Sequence, residues 1–196
     1  MNFLAHLYLS GDNPKIQVGN FIGDFVKGRS GMDQYETGIV KGIELHRAID
    51  EFTDNHPIVY ESKLRLRPKY RHYSSVIVDM FYDHFLASNW NDYHEELLPD
   101  FADKAYGLIQ EHLPILPRQV KYMLPYMIRG NWLVNYARLE GINRALYGMS
   151  QRTSFESKMD EAVEDLKGNY DQFKEEFTNF FPEIEKYCTS WLISND

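Results

Sequence analysis

The residues most able to do chemistry lie at four-residue spacing in a segment of helical character. His46, Asp50 and Asp54 follow one another in this way between Thr37 and His56, where apolar residues also recur with the period of a helix. Side chains four residues apart project from the same face of a helix. Because imidazole and carboxylate groups are typical ligands of Mn²⁺, Mg²⁺, Fe²⁺ and Zn²⁺, the stripe predicts a divalent metal site. A solvated helix face is the alternative.

A second segment, residues 75–90, has the same character. Asp79 and Asp83 are four residues apart, and His84 follows directly. The segment has no Gly or Pro and carries apolar residues at nearly every turn, which predicts a buried helix. Buried carboxylates need a cation or hydrogen-bond donors, so we expect the two segments to converge on a metal site. The alternative is a structural network of salt bridges with arginines, in which His84 is an ordinary core histidine.

Further residues of the same chemical types lie nearer the start of the chain, mostly in apolar surroundings. His6 is in a short apolar stretch, Asp24 belongs to an apolar segment at residues 16–26, and His56 directly precedes Pro57. A metal held by such groups lowers the pKa of water and polarises a phosphoryl oxygen, which is what phosphoester hydrolysis requires. One or two metal ions are compatible with this number of ligands.

The segments that must position these residues also have the periodicity of helices. Apolar residues recur at helical spacing up to about residue 152, and an amphipathic pattern predicts a long helix over 154–181 and a last short helix that Pro182 starts. The sequence shows no alternation typical of strands. We therefore predict an all-α, single-domain helical bundle, with a catalytic part at residues 1–152 and acidic C-terminal helices at residues 153–196 packed on it.

Composition and charge restrict the class of protein. The 196-residue chain has a formal net charge of −8, and residues 153–196 hold eleven acidic and four basic residues. Such a charge does not favour non-specific binding of nucleic acid. The single cysteine, Cys188, excludes an intrachain disulfide and a four-cysteine zinc site. Without a secretory signal or an apolar run of about 18 residues, the sequence predicts a cytoplasmic protein with no membrane association.

One segment stands out as basic. Residues 61–72 contain five basic residues and one acidic residue, and the basic ones are Lys63, Arg65, Arg67, Lys69 and Arg71. A run of positive charge in a nearly neutral part of the chain predicts a docking patch for an anionic partner. A solvated basic helix end is the alternative.

Four strings occur in a fixed order along the chain: NFLAHLYLS, VGNFIGDFVKG, GIELHRAIDEFTDNHP and VIVDMFYDHFLASNW. In this order and spacing they resemble the acyl carrier protein phosphodiesterase family, and YARLEGINRALYGMSQR extends the resemblance to about residue 152. That family removes the 4′-phosphopantetheine group from holo acyl carrier protein with Mn²⁺ dependence, and it is regarded as a distant relative of the HD phosphohydrolases. The resemblance implies a helical, HD-like metal site and a carrier protein substrate with an acidic surface.

Together, the residues and the resemblance predict a metal-dependent phosphodiesterase that releases phosphopantetheine from a serine of acyl carrier protein. Mn²⁺ is the expected ion, with Mg²⁺, Fe²⁺ and Zn²⁺ as alternatives. The predicted metal ligands, or partners of those ligands, are Asp24, His46, Asp50, Asp79 and Asp83. The residues predicted to contact phosphate or transfer protons are His6, His56 and His84. Substrate binding is assigned to Asp54 and to the basic residues Lys63, Arg65, Arg67, Lys69 and Arg71.

Some positions depart from the family pattern. Tyr8 stands where members often have a second histidine and Gly23 where an alanine is usual, so neither is given a chemical role. The adjacent His-Asp pair that names the HD enzymes is reversed here, as Asp83-His84, and only the idea of a helical metal site is carried over. The alternatives are a related hydrolase of a nucleotide or another small phosphodiester, and a non-enzymatic helical binding module.

Overall fold

The computed structural model describes residues 1–195, in which helices are joined by turns and no strand occurs. The prediction of an all-α fold is confirmed. The α-helices of this range are α1 (Phe3–Tyr8), α2 (Pro14–Ile22), α3 (Thr37–Asn55), α4 (Pro57–Tyr70), α5 (Ser74–Ser88), α6 (Leu98–Glu111), α7 (Arg118–Arg129), α8 (Trp132–Asn135), α9 (Leu139–Ser150), α10 (Ala162–Gly168) and α11 (Tyr170–Ser194). A 3₁₀ turn at Gly23–Phe25 continues directly from α2.

Helix α5 lies at the centre of the fold. Most of its side chains are buried, including apolar residues on nearly all of its sides. It packs against α1, α4, α9 and α11. A helix that is apolar all round is buried in this way because it has no face suited to water. The prediction of a buried helix in this segment is therefore confirmed.

Helices α2 and α3 cross at unusually close range. A Cβ atom at Gly19 would lie 2.0 Å from the carbonyl oxygen of Ile39, and one at Gly42 would lie 2.2 Å from the carbonyl oxygen of Ile16. Side chains larger than hydrogen are therefore excluded from both positions unless the helices move apart. This crossing brings the backbone of α2 within reach of polar side chains on α3.

The C-terminal segment differs from the sequence prediction of its helices. The predicted long helix is divided, because α10 ends at Gly168 and α11 begins at Tyr170. Pro182 starts no new helix but lies inside α11. Proline removes one backbone hydrogen bond from a helix interior. Both Pro182 and Thr178, whose carbonyl loses that bond, are on the exposed side of α11, where water can replace the lost donor.

Helix α11 packs against α3, α4 and α5 mainly through aromatic residues. Phe173, Phe177, Phe180 and Phe181 are all buried there. Their rings meet those of α5, for example Phe173 with Phe81 at 5.1 Å between centroids.

The division of the chain near residue 152 stays a prediction. Within residues 1–195, none of the helices combines the length and apolar character that a membrane span requires.

Candidate active site

Polar side chains from three consecutive helical elements and from α3 meet beside the α2–α3 crossing. Helix α1 contributes His6, α2 contributes Asn20, and the following 3₁₀ turn contributes Asp24. Helix α3 contributes His46 and Asp50, which face the same side because they are one turn apart. These five residues are called the His/Asp cluster below.

Asn20 fixes the orientation of both histidines. Its side-chain NH₂ group donates to the His6 carbonyl at 2.9 Å and to the Ser10 hydroxyl at 2.8 Å, so its Oδ1 atom faces His6. His6 Nδ1 therefore donates to that oxygen at 2.7 Å. His46 Nδ1 donates to the Asn20 backbone carbonyl at 2.8 Å. Both imidazoles consequently turn Nε2 toward the carboxylates, as in many metal sites.

The Nε2 atoms and two carboxylates share one small volume. His46 Nε2 lies 3.2 Å from Asp24 Oδ1 and 3.1 Å from Asp50 Oδ2, and the two imidazole rings stack with centroids 4.0 Å apart. His6 Nε2 lies 3.3 Å from Asp50 Oδ1 but makes no hydrogen bond within the described part of the chain. Suitable ligand atoms of His6, His46 and Asp50 all lie within 4.8 Å of one another.

The two histidines of the cluster differ in pKa. Burial and the neighbouring charge of His46 lower the pKa of His6 to about 4, so its Nε2 carries a lone pair at neutral pH. Burial opposes protonation of His46, but its hydrogen bonds with Asp24 and Asp50 raise its pKa to about 9. The hydrogen bond with His46 also lowers the pKa of Asp24. The lone pair of His6 Nε2 and the carboxylate oxygen of Asp50 thus face each other, and a cation between them would stabilise this arrangement.

Asp83 has a different environment from the cluster. It is fully buried, and its carboxylate accepts backbone N–H groups of Leu4 at 2.8 Å, Asn2 at 3.1 Å and Ala5 at 3.3 Å. These are the otherwise unpaired donors at the start of α1. Burial nevertheless raises the pKa of Asp83 to about 7. The structure thus places this carboxylate as the anchor of the helix that carries His6, and its predicted role as a metal ligand stays a prediction.

Asp79 also has another partner. Its Oδ1 atom lies 2.7 Å from the amino group of Met1, at the same end of α1. The carboxylates of α5 therefore contact the beginning of α1, while the polar residues of α3 contact the middle of α1 through His6. Helix α1 is the element that stands between the two predicted stripes, and the structure does not bring all their carboxylates to one point.

Asp54 near the end of α3 and His56 between α3 and α4 lie outside the cluster. His56 Nε2 is 3.2 Å from Glu183 Oε2, and its ring packs against Phe52 and Phe180. Asp54 is exposed and pairs with Lys63 at 2.6 Å. Roles for His56 and Asp54 in catalysis or substrate binding rest on the sequence alone.

His84 is a core residue with both ring nitrogens engaged. Its Nδ1 donates to the Tyr136 carbonyl at 2.8 Å, and its Nε2 accepts from the Tyr170 hydroxyl at 3.0 Å. These bonds join α5 to Tyr136, which directly follows α8, and to α11. Burial lowers the pKa of His84, so the folded protein resists its protonation.

His84 is therefore expected to make the protein less stable in acid. The unfolded chain takes up the His84 proton near its ordinary pKa of about 6.5, whereas the folded chain takes it up only at lower pH. This contribution to stability is full above about pH 7 and falls as the pH drops through 6.5. His84→Gln keeps a hydrogen-bonding side chain and should weaken the decline between pH 7 and 5, measured by urea unfolding. His72→Gln, at an exposed site, is the control, and an unchanged decline in His84→Gln would contradict the assignment.

The basic residues of α4 are largely neutralised by the chain itself. Arg65 binds Glu176 of α11 through two nitrogens at 2.7 and 2.9 Å. Lys69 lies 3.1 Å from Glu161 and 2.9 Å from Asp165. The positive charge of this segment therefore holds the acidic C-terminal helices in place. Arg67 and Arg71 are exposed and form no ion pair within residues 1–195.

Asn20 is the site residue that the sequence prediction did not assign a role. The available signal was its position four residues before Asp24 in an apolar segment. A polar residue in such a setting needs hydrogen-bond partners. Its four hydrogen bonds, to three residues (His6, Ser10 and His46), became visible only from the packing of α1, α2 and α3.

The fold and the cluster define an all-α protein in which two buried imidazoles meet two more exposed carboxylates beside the α2–α3 crossing. The sequence profile of the family described as acyl carrier protein phosphodiesterase matches residues 1–184. The chain is 35% identical to the acyl carrier protein phosphodiesterase of Enterobacter sp. (strain 638) over 185 residues, 94% of this chain and 95% of that protein. It is 34% identical to the protein of that name from Photorhabdus laumondii over 183 residues, 93% of this chain and 92% of that protein.

These similarities extend over nearly the whole sequence. The protein from Serratia proteamaculans with the same name is 33% identical over 185 residues, 94% of this chain and 95% of that protein. No solved structure matches significantly. The chain belongs to the acyl carrier protein phosphodiesterase family.

Proposed function

We propose that this protein is a metal-dependent phosphodiesterase that hydrolyses the bond between 4′-phosphopantetheine and a serine of holo acyl carrier protein. Family membership over residues 1–184 supports the substrate and the reaction. The observation that carries the metal dependence is the contact between His6 Nε2 and Asp50 Oδ1, 3.3 Å apart with no hydrogen bond formed by the buried nitrogen. Two groups that both offer electron pairs to one space are stabilised by a cation.

The residues of the cluster fit a divalent ion in type and in orientation. His6, His46 and Asp50 would hold the ion, with Asp24 as a further carboxylate beside His46. The mixture of imidazole and carboxylate suits Mn²⁺, and it also accommodates Fe²⁺, Zn²⁺ or Mg²⁺. Asn20 supports the site because it holds the first imidazole by its side chain and the second by its backbone carbonyl.

The reaction needs a polarised phosphoryl oxygen and a deprotonated water, and a bound divalent ion supplies both effects. The protein contributes the shape and charge of the site. Asn20 accepts a hydrogen bond from Nδ1 of both imidazoles, so that both Nε2 atoms face the reaction site. Asp24 is the most accessible member of the cluster, with 69% of its side chain exposed.

The function is tested by incubating the protein with Mn²⁺ and holo acyl carrier protein and measuring the mass of the carrier together with free phosphopantetheine. We expect the carrier to lose the mass of the intact prosthetic group and phosphopantetheine to appear in equal amount. Chelation of the metal should stop the release, and added Mn²⁺ should restore it. Elemental analysis of the purified protein identifies the ion that it carries.

The same assay separates the alternative functions. Hydrolysis of nucleotides or other small phosphodiesters without cleavage of the carrier would contradict the proposal and favour a related hydrolase. Stable binding of the carrier without release, in a protein that takes up no metal, would favour a non-enzymatic binding module.

A further inference from the structure

A large groove lies next to the His/Asp cluster. It has a volume of about 1140 Å³ and is lined by residues of α7, α8 and the end of α9, together with Phe3 and Phe25. Phe25 directly follows Asp24, and Phe3 lies one turn before His6 in α1. One wall of the groove is therefore made by the elements that carry the cluster.

The lining of the groove is aromatic and apolar, with arginine at its edges. It includes Tyr122, Tyr126 and Trp132 as well as Arg118 and Arg152. The two tyrosines are 73% and 52% exposed, and their rings lie 5.5 Å apart on α7. Exposed aromatic rings and arginines are the residue types enriched in protein interfaces. The groove thus combines space for a flexible chain with a border suited to a protein partner.

The segment that contributes most of the groove lining carries a net positive charge. Residues 118–152 contain six basic residues and one acidic residue, although the whole chain has a net charge of −8. The basic ones are Arg118, Lys121, Arg129, Arg138, Arg144 and Arg152. All six are exposed, and no ion pair in the described part of the structure involves any of them. Arg118 and Arg152, which line the groove, are therefore available to an external anion, whereas Arg65 and Lys69 of α4 are paired with α10 and α11.

We propose that the exposed face of α7 and α9 is the docking surface for an acidic carrier protein, whose phosphodiester-linked arm lies along the adjoining groove. This inference rests on the proposed function, because that function requires a protein substrate with a flexible arm. Charge complementarity selects the partner, since Arg118 and Arg152 at the groove, which form no ion pair within residues 1–195, attract an acidic surface and repel a basic one. The groove then leads the arm from α7 to Phe25 and the neighbouring Asp24.

The proposal is tested with charge-reversal variants of the full-length protein. Arg118→Glu/Arg152→Glu, the α7/α9 variant, alters the proposed surface. Arg67→Glu/Arg71→Glu, the α4 variant, alters Arg67 of α4 and Arg71 directly after it, which form no ion pair within residues 1–195. Lys174→Glu/Lys186→Glu is the matched control, because it makes the same change of charge at exposed positions of α11. The Kd for fluorescently labelled holo acyl carrier protein is measured without metal, and kcat/KM is measured with Mn²⁺. Bound metal and the urea midpoint report whether each variant is folded.

We expect the α7/α9 variant to raise Kd by at least about 10-fold, with a weaker dependence of Kd on salt, because charge attraction drives the association. Its kcat/KM should fall by a similar factor, while the other two variants stay within about twofold of wild type. An unchanged Kd in the α7/α9 variant, or an equal loss in the α4 variant, overturns the docking surface. Wild-type protein that binds the carrier but never cleaves it contradicts the proposed function, while the Kd values still decide the docking surface.

Discussion

Asp50→Asn is expected to remove most of the bound metal and to lower kcat/KM for the carrier by more than about 100-fold. Loss of a partner of a metal ligand already costs about 10- to 100-fold in affinity or activity, and loss of a ligand itself costs more. Asp50 faces both imidazoles, at 3.3 Å from His6 and 3.1 Å from His46. The amide keeps the shape of the side chain but offers a neutral, weaker ligand atom. Metal content by elemental analysis and turnover of holo carrier are the measurements.

The control for this variant is Glu44→Gln. It makes the same change from carboxylate to amide on α3, at an exposed position that forms no ion pair in residues 1–195. It should keep wild-type metal content and turnover. The assignment of the cluster would be wrong if Asp50→Asn retained full metal content with an intact helical signal in circular dichroism.

The sequence was most informative where function depends on local spacing. His46 and Asp50 share one face of a single helix, and four-residue spacing is enough to place them together. The buried helix around Asp83 followed equally directly from the lack of any polar face. Both inferences use contacts within one element, so they do not depend on how the helices are arranged.

The sequence was less informative where the answer depends on which helices meet. An aspartate in an apolar helix can bind a metal ion or the unpaired amides of another helix, because both supply the positive charge that it needs. Asp83 meets the amides of α1, whose residues lie 78 to 81 positions earlier in the chain. Similarly, Arg65 is separated by 111 residues from Glu176, the acid that neutralises it. No local pattern reveals such pairs.

Removal of the Asp83 carboxylate is expected to have the largest effect on stability. In Asp83→Ala, three N–H groups at the beginning of α1 lose their acceptor inside the protein. Each buried donor left unpaired costs about 1–3 kcal/mol, so the three lost hydrogen bonds alone would lower the free energy of unfolding by about 3–9 kcal/mol. Loss of an expensive buried carboxylate offsets part of this cost, since burial raises the pKa of Asp83 to about 7. Urea unfolding at pH 7 measures the change.

Asp83 variants also distinguish an anchor from a metal ligand. Asp83→Asn keeps one acceptor oxygen and should lose less stability than Asp83→Ala, while Asp92→Ala, at an exposed site just after α5, should stay near wild type. An anchor acts on the metal only through the position of His6 in α1. Folded Asp83→Asn should therefore still bind Mn²⁺, with lower affinity than wild type. An Asp83→Ala protein that is as stable as wild type but binds no metal would instead make Asp83 a ligand. Loss of an anchor lowers stability, whereas loss of a ligand removes the metal without that effect.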